Sequence, residues 1–188
     1  MDFDFTEEQL MIRDAARDFA QRELITDVIE RDTGAIYPTR HVQRMAELGF
    51  LGMLVDVKYD GGGMDTVSYV LAMEEISKVD SSCSVIMSVN NSLVCYGLEA
   101  FGTEVQKEKY LKPLARGEKI GAFLLSEPNA GSDATSQKTI ATDMGDYYLV
   151  NGTKNWITNG NTAGTYLLIA QTQNKKMHKG INCLIVDR

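Results

Sequence analysis

Ser126-Glu127-Pro128-Asn129-Ala130-Gly131-Ser132-Asp133 is a polar turn set among apolar stretches, and a second turn, Trp156-Ile157-Thr158-Asn159-Gly160, follows it. The apolar runs around them, Ile120 to Leu125, Tyr166 to Thr172 and Ile181 to Val186, have the length and composition of β-strands. Tyr147 to Val150, Asn151-Gly152 and Thr153 to Trp156 predict a β-hairpin, because Asn-Gly readily takes the positive φ angles of a tight turn. Gly145-Asp146 predicts a further turn. The chain from residue 119 onwards is therefore expected to be all-β, with an open sheet edge at residues 181–186.

Upstream the pattern is helical. Thr6-Glu7-Glu8-Gln9 is a capping box. Beyond it Met11, Ala15 and Phe19 recur at four-residue spacing with Leu10, Leu24 and Val28 nearby, predicting an amphipathic helix to about Ile29. Pro38 suits the first turn of a second helix, which Gly49 ends. Val70, Leu71, Ile76 and Val79 mark a third over 66–79, and a largely apolar helix over 82–100 is the expected centre of this region. Thr103-Glu104-Val105-Gln106 is a second capping box, opening a last helix that Gly117 stops. Between helices, Tyr59-Asp60-Gly61-Gly62-Gly63-Met64 has neither the GxGxxG nor the GxxxxGK spacing of a phosphate cradle, and reads as a flexible interhelical loop.

Composition bounds the class. The 188 residues are 44% hydrophobic and 24% charged, with 26 acidic and 19 basic side chains for a formal charge of -7. That balance argues against a nucleic-acid surface, which needs clustered Lys and Arg. The one basic run, Lys175-Lys176 with His178-Lys179, reads as a solvated turn. No stretch predicts a membrane span, and Met1-Asp2-Phe3-Asp4-Phe5 lacks the layout of a secretory or transit peptide. Cys83, Cys95 and Cys183 are odd in number and far apart, as in reduced thiols of a bacterial cytoplasm. His41 and His178 are too isolated to predict a zinc site.

The two polar turns carry the chemistry. Ser126, Ser132 and Thr158 offer hydroxyls, and Trp156, the only tryptophan, offers a flat face. Together they suit a heteroaromatic ring with nitrogens and carbonyls on its edge. The other reading is structural: Trp156 as a core residue of the hairpin and the serine-rich stretch as a plain turn. Glu127 and Asp133 flank the first turn, but nothing pairs them as acid and base, and Asp in such turns commonly caps its own loop. No GxSxG elbow is present.

Leu125 to Asp133 and Trp156 to Gly160 resemble the two flavin-site signatures of the acyl-CoA dehydrogenases. Phe101-Gly102-Thr103-Glu104, Gln106-Lys107, Tyr110-Leu111 and Gly117-Glu118-Lys119 resemble the segment that precedes that family's middle domain, and Phe5-Thr6-Glu7-Glu8-Gln9 resembles its opening. Among subfamilies the chain is most similar to the short-chain, butyryl-CoA type. The resemblance implies an α+β multidomain fold: an N-terminal all-α domain over residues 1–118, then an antiparallel β-barrel middle domain over residues 119–188. That barrel is expected to be incomplete, because family members continue into more of it and a second helical domain.

The resemblance also implies an FAD site. Phe123, Leu125, Ser126, Ser132, Trp156, Ile157 and Thr158 would contact the isoalloxazine, Ser132 would also touch acyl-CoA, and Thr158 would set its hydroxyl beside N5. A donor there stabilises charge that develops on hydride transfer. Asn129 stands where many members have glycine, and Asn90 where histidine is common. The implied reaction is dehydrogenation of a short acyl-CoA to the trans-2-enoyl-CoA. Electrons then pass to an electron-transfer flavoprotein, in an enzyme that is homo-oligomeric when complete. No residue matches the family's glutamate base, so none is assigned, and the chain alone is expected to be inactive. The alternatives are a non-catalytic acyl-CoA- or flavin-binding or interaction module, or an oxidase of the same fold.

Overall fold

A computed structural model of the chain describes residues 4–172 and 177–188. Met1 to Phe3, and Lys175 and Lys176 of the basic run, lie outside them. The chain forms two compact units, Met1–Lys119 and Ile120–Arg188.

The first unit is helical: α1 (Glu7–Arg22), α2 (Val28–Gly34), α3 (Thr39–Glu47), α4 (Thr66–Ser77), α5 (Ser81–Ser88), α6 (Tyr96–Phe101), α7 (Glu104–Gln106) and α8 (Lys112–Ala115). Both capping boxes form. The Thr6 and Thr103 hydroxyls accept from the Gln9 and Gln106 N–H groups, and each glutamine side chain accepts in return from the cap N–H. Gln9 also donates to Asp65, the N-cap of α4, so the starts of α1 and α4 are tied together. Arg17 grips Glu75 with two nitrogens, at 3.0 and 3.1 Å. With Lys78 it outweighs the burial of that carboxyl and holds it down at about 2.

The buried stripe of α1 differs from the expected one. Met11 is 72% exposed and Ala15 is exposed, whereas Ala16, Phe19 and Ala20 are buried. A strict four-residue spacing drifts off a 3.6-residue helix, and the small Ala16 and Ala20 are the residues that α1 buries. Phe19 reaches Phe50, with ring centroids 6.0 Å apart. The predicted first helix also breaks after Arg22 into a 3-10 turn, Leu24–Thr26, before α2.

The long central helix is interrupted by a π-helical stretch, Val89–Cys95, between α5 and α6. Asn90 and Asn91 sit there fully buried. Asn90 Nδ2 donates to the Leu51 and Leu114 carbonyls, and Asn91 Nδ2 to those of Phe50 and Met87. The Leu51 and Phe50 carbonyls, in irregular backbone, thereby gain buried amide donors. Asn90 thus joins three backbone segments of the helical unit.

The glycine loop is neither flexible nor a cradle. Gly62, Gly63 and Met64 donate their N–H groups to the carbonyls of Gly52, Val55 and Met53, at 2.8–2.9 Å. Its amides are used within the fold, and none of these three is left for a phosphate.

The second unit holds a five-stranded sheet: β1 (Gly121–Leu124), β2 (Ile140–Asp143), β3 (Tyr148–Asn151), β4 (Thr165–Gln171) and β5 (Ile181–Asp187). This sheet is mixed and is not the expected antiparallel barrel. β5 runs antiparallel to β4 along its whole length, Thr165↔Asp187 to Gln171↔Ile181. β1 pairs with β4 in parallel, from Gly121↔Thr165 to Leu124↔Leu168, and β2 meets it in parallel at Ile140↔Gln171. The long connections between β1 or β2 and β4 permit that parallel alignment. Since β5 fills one edge of β4, β1 and β2 lie in tandem along the other. Residues 125–139 leave the strand line between them.

The hairpin also falls elsewhere. β3 turns back on β2, Asp143↔Tyr148 to Ile140↔Asn151, through the Gly145 turn, where Met144 N–H donates to the Tyr147 carbonyl and Gly145 has φ 96°. Asn151 ends β3, and Thr153 to Trp156 form no strand. Gly152 is there for room: a methyl at its Cα would overlap Thr139, whose own Cα would lie 2.7 Å away. Gly152→Ala is expected to destabilise the protein by about 1–3 kcal/mol, read as a lower urea midpoint. Gly131→Ala, whose methyl would meet nothing within 4 Å, should leave the midpoint unchanged.

Candidate flavin site

The excursion over 125–139 is closed at its neck by one side chain. Glu127 is buried and accepts from the N–H groups of Lys138, at 2.5 Å, and Thr139, at 3.0 Å. Lys154, also buried, lies 2.8 Å from the same carboxylate. The Lys154 ammonium donates in addition to the Leu125 carbonyl at 2.9 Å and to Gln137 Oε1 at 3.1 Å. Next along, Asn155 N–H donates to the Ser126 carbonyl at 2.9 Å. Lys154 and Asn155 therefore bind the second turn to the first.

The far side of the second turn is anchored too. Asn159 is buried in the left-handed region, φ 63°, and its amide donates to the Gly121 carbonyl at the start of β1. Thr162 and Ala163 return N–H bonds to the Asn159 carbonyl. Between these anchors stands Trp156-Ile157-Thr158. Trp156 has φ 59° and is 94% exposed, which rules out its reading as a core residue. A bulky side chain in left-handed backbone is strained by about 1–2 kcal/mol, and such strain persists only where neighbours hold it.

The site residues divide accordingly. Leu125 and Ser126 lie against Lys154 and Asn155, and Trp156, Ile157 and Thr158 follow directly. Phe123 is half-buried on β1, paired with Leu167. Ser132 is exposed on the distal part of the excursion, beyond the tight turn in which Glu127 and Ala130 exchange backbone hydrogen bonds. Among the described residues, the hydroxyls of Ser126, Ser132 and Thr158 have no hydrogen-bond partner. Asp133 accepts from the Thr135 and Ser136 hydroxyls of its own loop, which lower its carboxyl below the ordinary range. Asn129 does not adopt left-handed backbone; the non-glycine residues of the turns that do are Trp156 and Asn159.

Nothing in the sequence marks Lys154 as a site residue or gives Glu127 a partner. The only signal was a lysine two residues before the tryptophan, which spacing alone cannot connect to a glutamate in another turn.

Residues 6–118 match the N-terminal domain, and residues 122–188 the middle domain, of acyl-CoA dehydrogenase. The chain belongs to the acyl-CoA dehydrogenase family. This family member is 43% identical, over all 188 of its residues, to the short-chain specific acyl-CoA dehydrogenase of Clostridium acetobutylicum, covering 50% of that protein. It superposes on butyryl-CoA dehydrogenase from Megasphaera elsdenii with a TM-score of 0.94 and 42% identity, covering 100% of this chain and 50% of that one. A chain from structural work on the electron transferring flavoprotein of Acidaminococcus fermentans and flavin-based electron bifurcation gives a TM-score of 0.96 and 45% identity, with the same coverage. The chain thus spans about half the length of these relatives. No helix among its described residues is long and apolar enough to cross a membrane.

Electrostatics at the neck yields a pH test. Burial works to raise the Glu127 carboxyl, but the Lys138 N–H, the Lys154 ammonium and Thr139 outweigh it and hold it at about 2. An unfolded glutamate titrates near ~4.3, so between those values the unfolded chain binds the extra proton and acid favours unfolding. The contribution of Glu127 is present in full above about pH 4.3 and is lost as pH falls towards 2. Glu127→Gln leaves Lys154 buried without its counter-charge, at a cost of about 3–5 kcal/mol at neutral pH. Denaturant titrations should show that gap closing between about pH 4 and pH 2, where the wild-type carboxylate is also neutralised.

Proposed function

We propose that this chain carries the flavin-facing part of an FAD-dependent, short-chain acyl-CoA dehydrogenase. One observation carries the reading. The hydroxyls of Ser126 and Thr158 and the exposed face of Trp156 stand on two turns that the Asn155–Ser126 hydrogen bond draws together, and neither hydroxyl has a protein partner among the described residues. Polar groups held by rigid anchors and not used by the protein's own hydrogen bonds suit a ligand that engages them.

In this reading Phe123, Leu125, Ser126, Ser132, Trp156, Ile157 and Thr158 hold the isoalloxazine, and Ser132 also meets the acyl-CoA. Bound FAD would supply a hydride acceptor. Trp156 offers a flat apolar face to the ring, and the anchors on either side of it keep that face turned outwards against the strain of its backbone. Ser126 and Thr158 donate hydrogen bonds to the ring edge, where a fixed donor favours the reduced form. No residue of this chain is assigned as the base for the substrate α-proton.

The whole-protein reaction that fits is conversion of a short acyl-CoA to its trans-2-enoyl-CoA in a bacterial cytoplasm, with electrons leaving to an electron-transfer flavoprotein. Family membership supports it, as do the similarities to short-chain and butyryl-CoA dehydrogenases and to the chain from the electron transferring flavoprotein work.

The test is direct because Trp156 is the only tryptophan. Titrating FAD into the chain is expected to quench Trp156 emission with saturation. Thr158→Ala should weaken binding by about 3- to 10-fold, the effect of one hydrogen bond. Tryptophan emission unaltered by saturating FAD would refute the reading.

A further inference from the structure

We propose that Glu127 and Lys154 are positioning residues of the flavin site: as a buried charge pair they lock the two signature turns together and hold Trp156 in its exposed, strained conformation. The ligand-binding part of this inference rests on the flavin reading above; the conformational part stands without it.

The geometry supports a strap rather than an isolated ion pair. Lys154 uses its ammonium on three acceptors from the first excursion: the Glu127 carboxylate, the Leu125 carbonyl and Gln137 Oε1. Glu127 in turn takes backbone N–H groups from Lys138 and Thr139, at the point where the excursion rejoins the sheet. One pair of side chains thus reaches the start of the excursion, its end, and the residue two before Trp156. Both side chains are about 93% buried, at 6% and 7% exposure, so water does not compete for these bonds.

The strain on Trp156 shows what the strap opposes. A tryptophan without such anchors would relax to negative φ, carrying the indole, Ile157 and Thr158 with it. Asn159 fixes the turn on one side only, through the Gly121 carbonyl. The other side is fixed by Lys154 and by the Asn155 N–H on Ser126. The strap touches none of the exposed side chains that would meet the ring, and acts on them through the backbone of Leu125 and of residues 154–156.

A single substitution strands a buried charge and risks unfolding. The informative variant is therefore the double Glu127→Gln/Lys154→Met, which removes both charges and keeps the volumes. It should retain the wild-type far-UV circular dichroism and unfold cooperatively. Its Trp156 emission is expected to shift and its anisotropy to fall, and FAD should bind about tenfold more weakly, the loss expected when a preorganised site is loosened. Lys154→Arg keeps the cation and should recover most of both signals. A folded double variant with wild-type tryptophan emission, anisotropy and FAD affinity would overturn the proposal, as would a folded Lys154→Arg no better than the double. Should the double not fold, Lys154→Arg decides by the same two signals. If the wild-type chain itself does not bind FAD, the flavin reading fails, and Trp156 anisotropy alone decides whether the strap positions the turn.

Discussion

The second unit depends on how one carboxylate is neutralised. Residues 125–139 depart from a strand line and must rejoin it, leaving the N–H groups of Lys138 and Thr139 to be satisfied where the backbone is partly closed off. Glu127 satisfies both and would be an isolated buried anion if Lys154 did not face it. Two buried charges of opposite sign are tolerable only with good geometry and every remaining donor and acceptor used. Here the ammonium has three acceptors and the carboxylate three donors. The placement of both polar turns follows from meeting that condition.

The helical unit meets a related condition with neutral groups. Its central helix passes the irregular backbone around residues 50–54, whose carbonyls lack regular helical partners. The π-helical stretch at Val89–Cys95 sets two successive asparagines inwards, and their amides supply the missing donors. Stretches of π-helix are rare and recur at places where side chains must be re-aimed. The same irregular backbone returns its own carbonyls to the N–H groups of Gly62 to Met64, so glycines that look mobile in the sequence are fixed by close packing.

Features set by local rules were legible in the sequence. The capping boxes at Thr6 and Thr103, the helix stops at Gly49 and Gly117, the turn at Gly145 and the strands around 121–124, 165–171 and 181–187 each follow from a few adjacent residues. What failed needed partners distant in the chain. β2, with Ala141 and Thr142 at its centre, has too weak an apolar pattern to announce itself. The sequence pattern therefore points β3 to the wrong partner, through Asn151-Gly152, whereas the turn is made at Gly145. The parallel pairing of β1 with β4 leaves no trace in either strand. In the site, the exposed residues were legible because ligand-facing hydroxyls and a lone tryptophan stand out. Lys154, Glu127 and Asn159, which hold them, were not, because a lysine that bridges two loops looks in sequence like any solvated lysine.

The tandem arrangement of β1 and β2 separates two kinds of information along the chain. Register is set by Leu124↔Leu168 before the excursion and by Ile140↔Gln171 after it, while a side-chain carbon added at Gly131 would meet nothing within 4 Å. The sheet registers only where the chain leaves and where it returns. A side chain exchanged for Gly131 would shift no strand pair. Side-chain variation at that one position would be silent to the fold, so the chemistry presented at the tip of the excursion could diverge while the framework beneath it stayed the same.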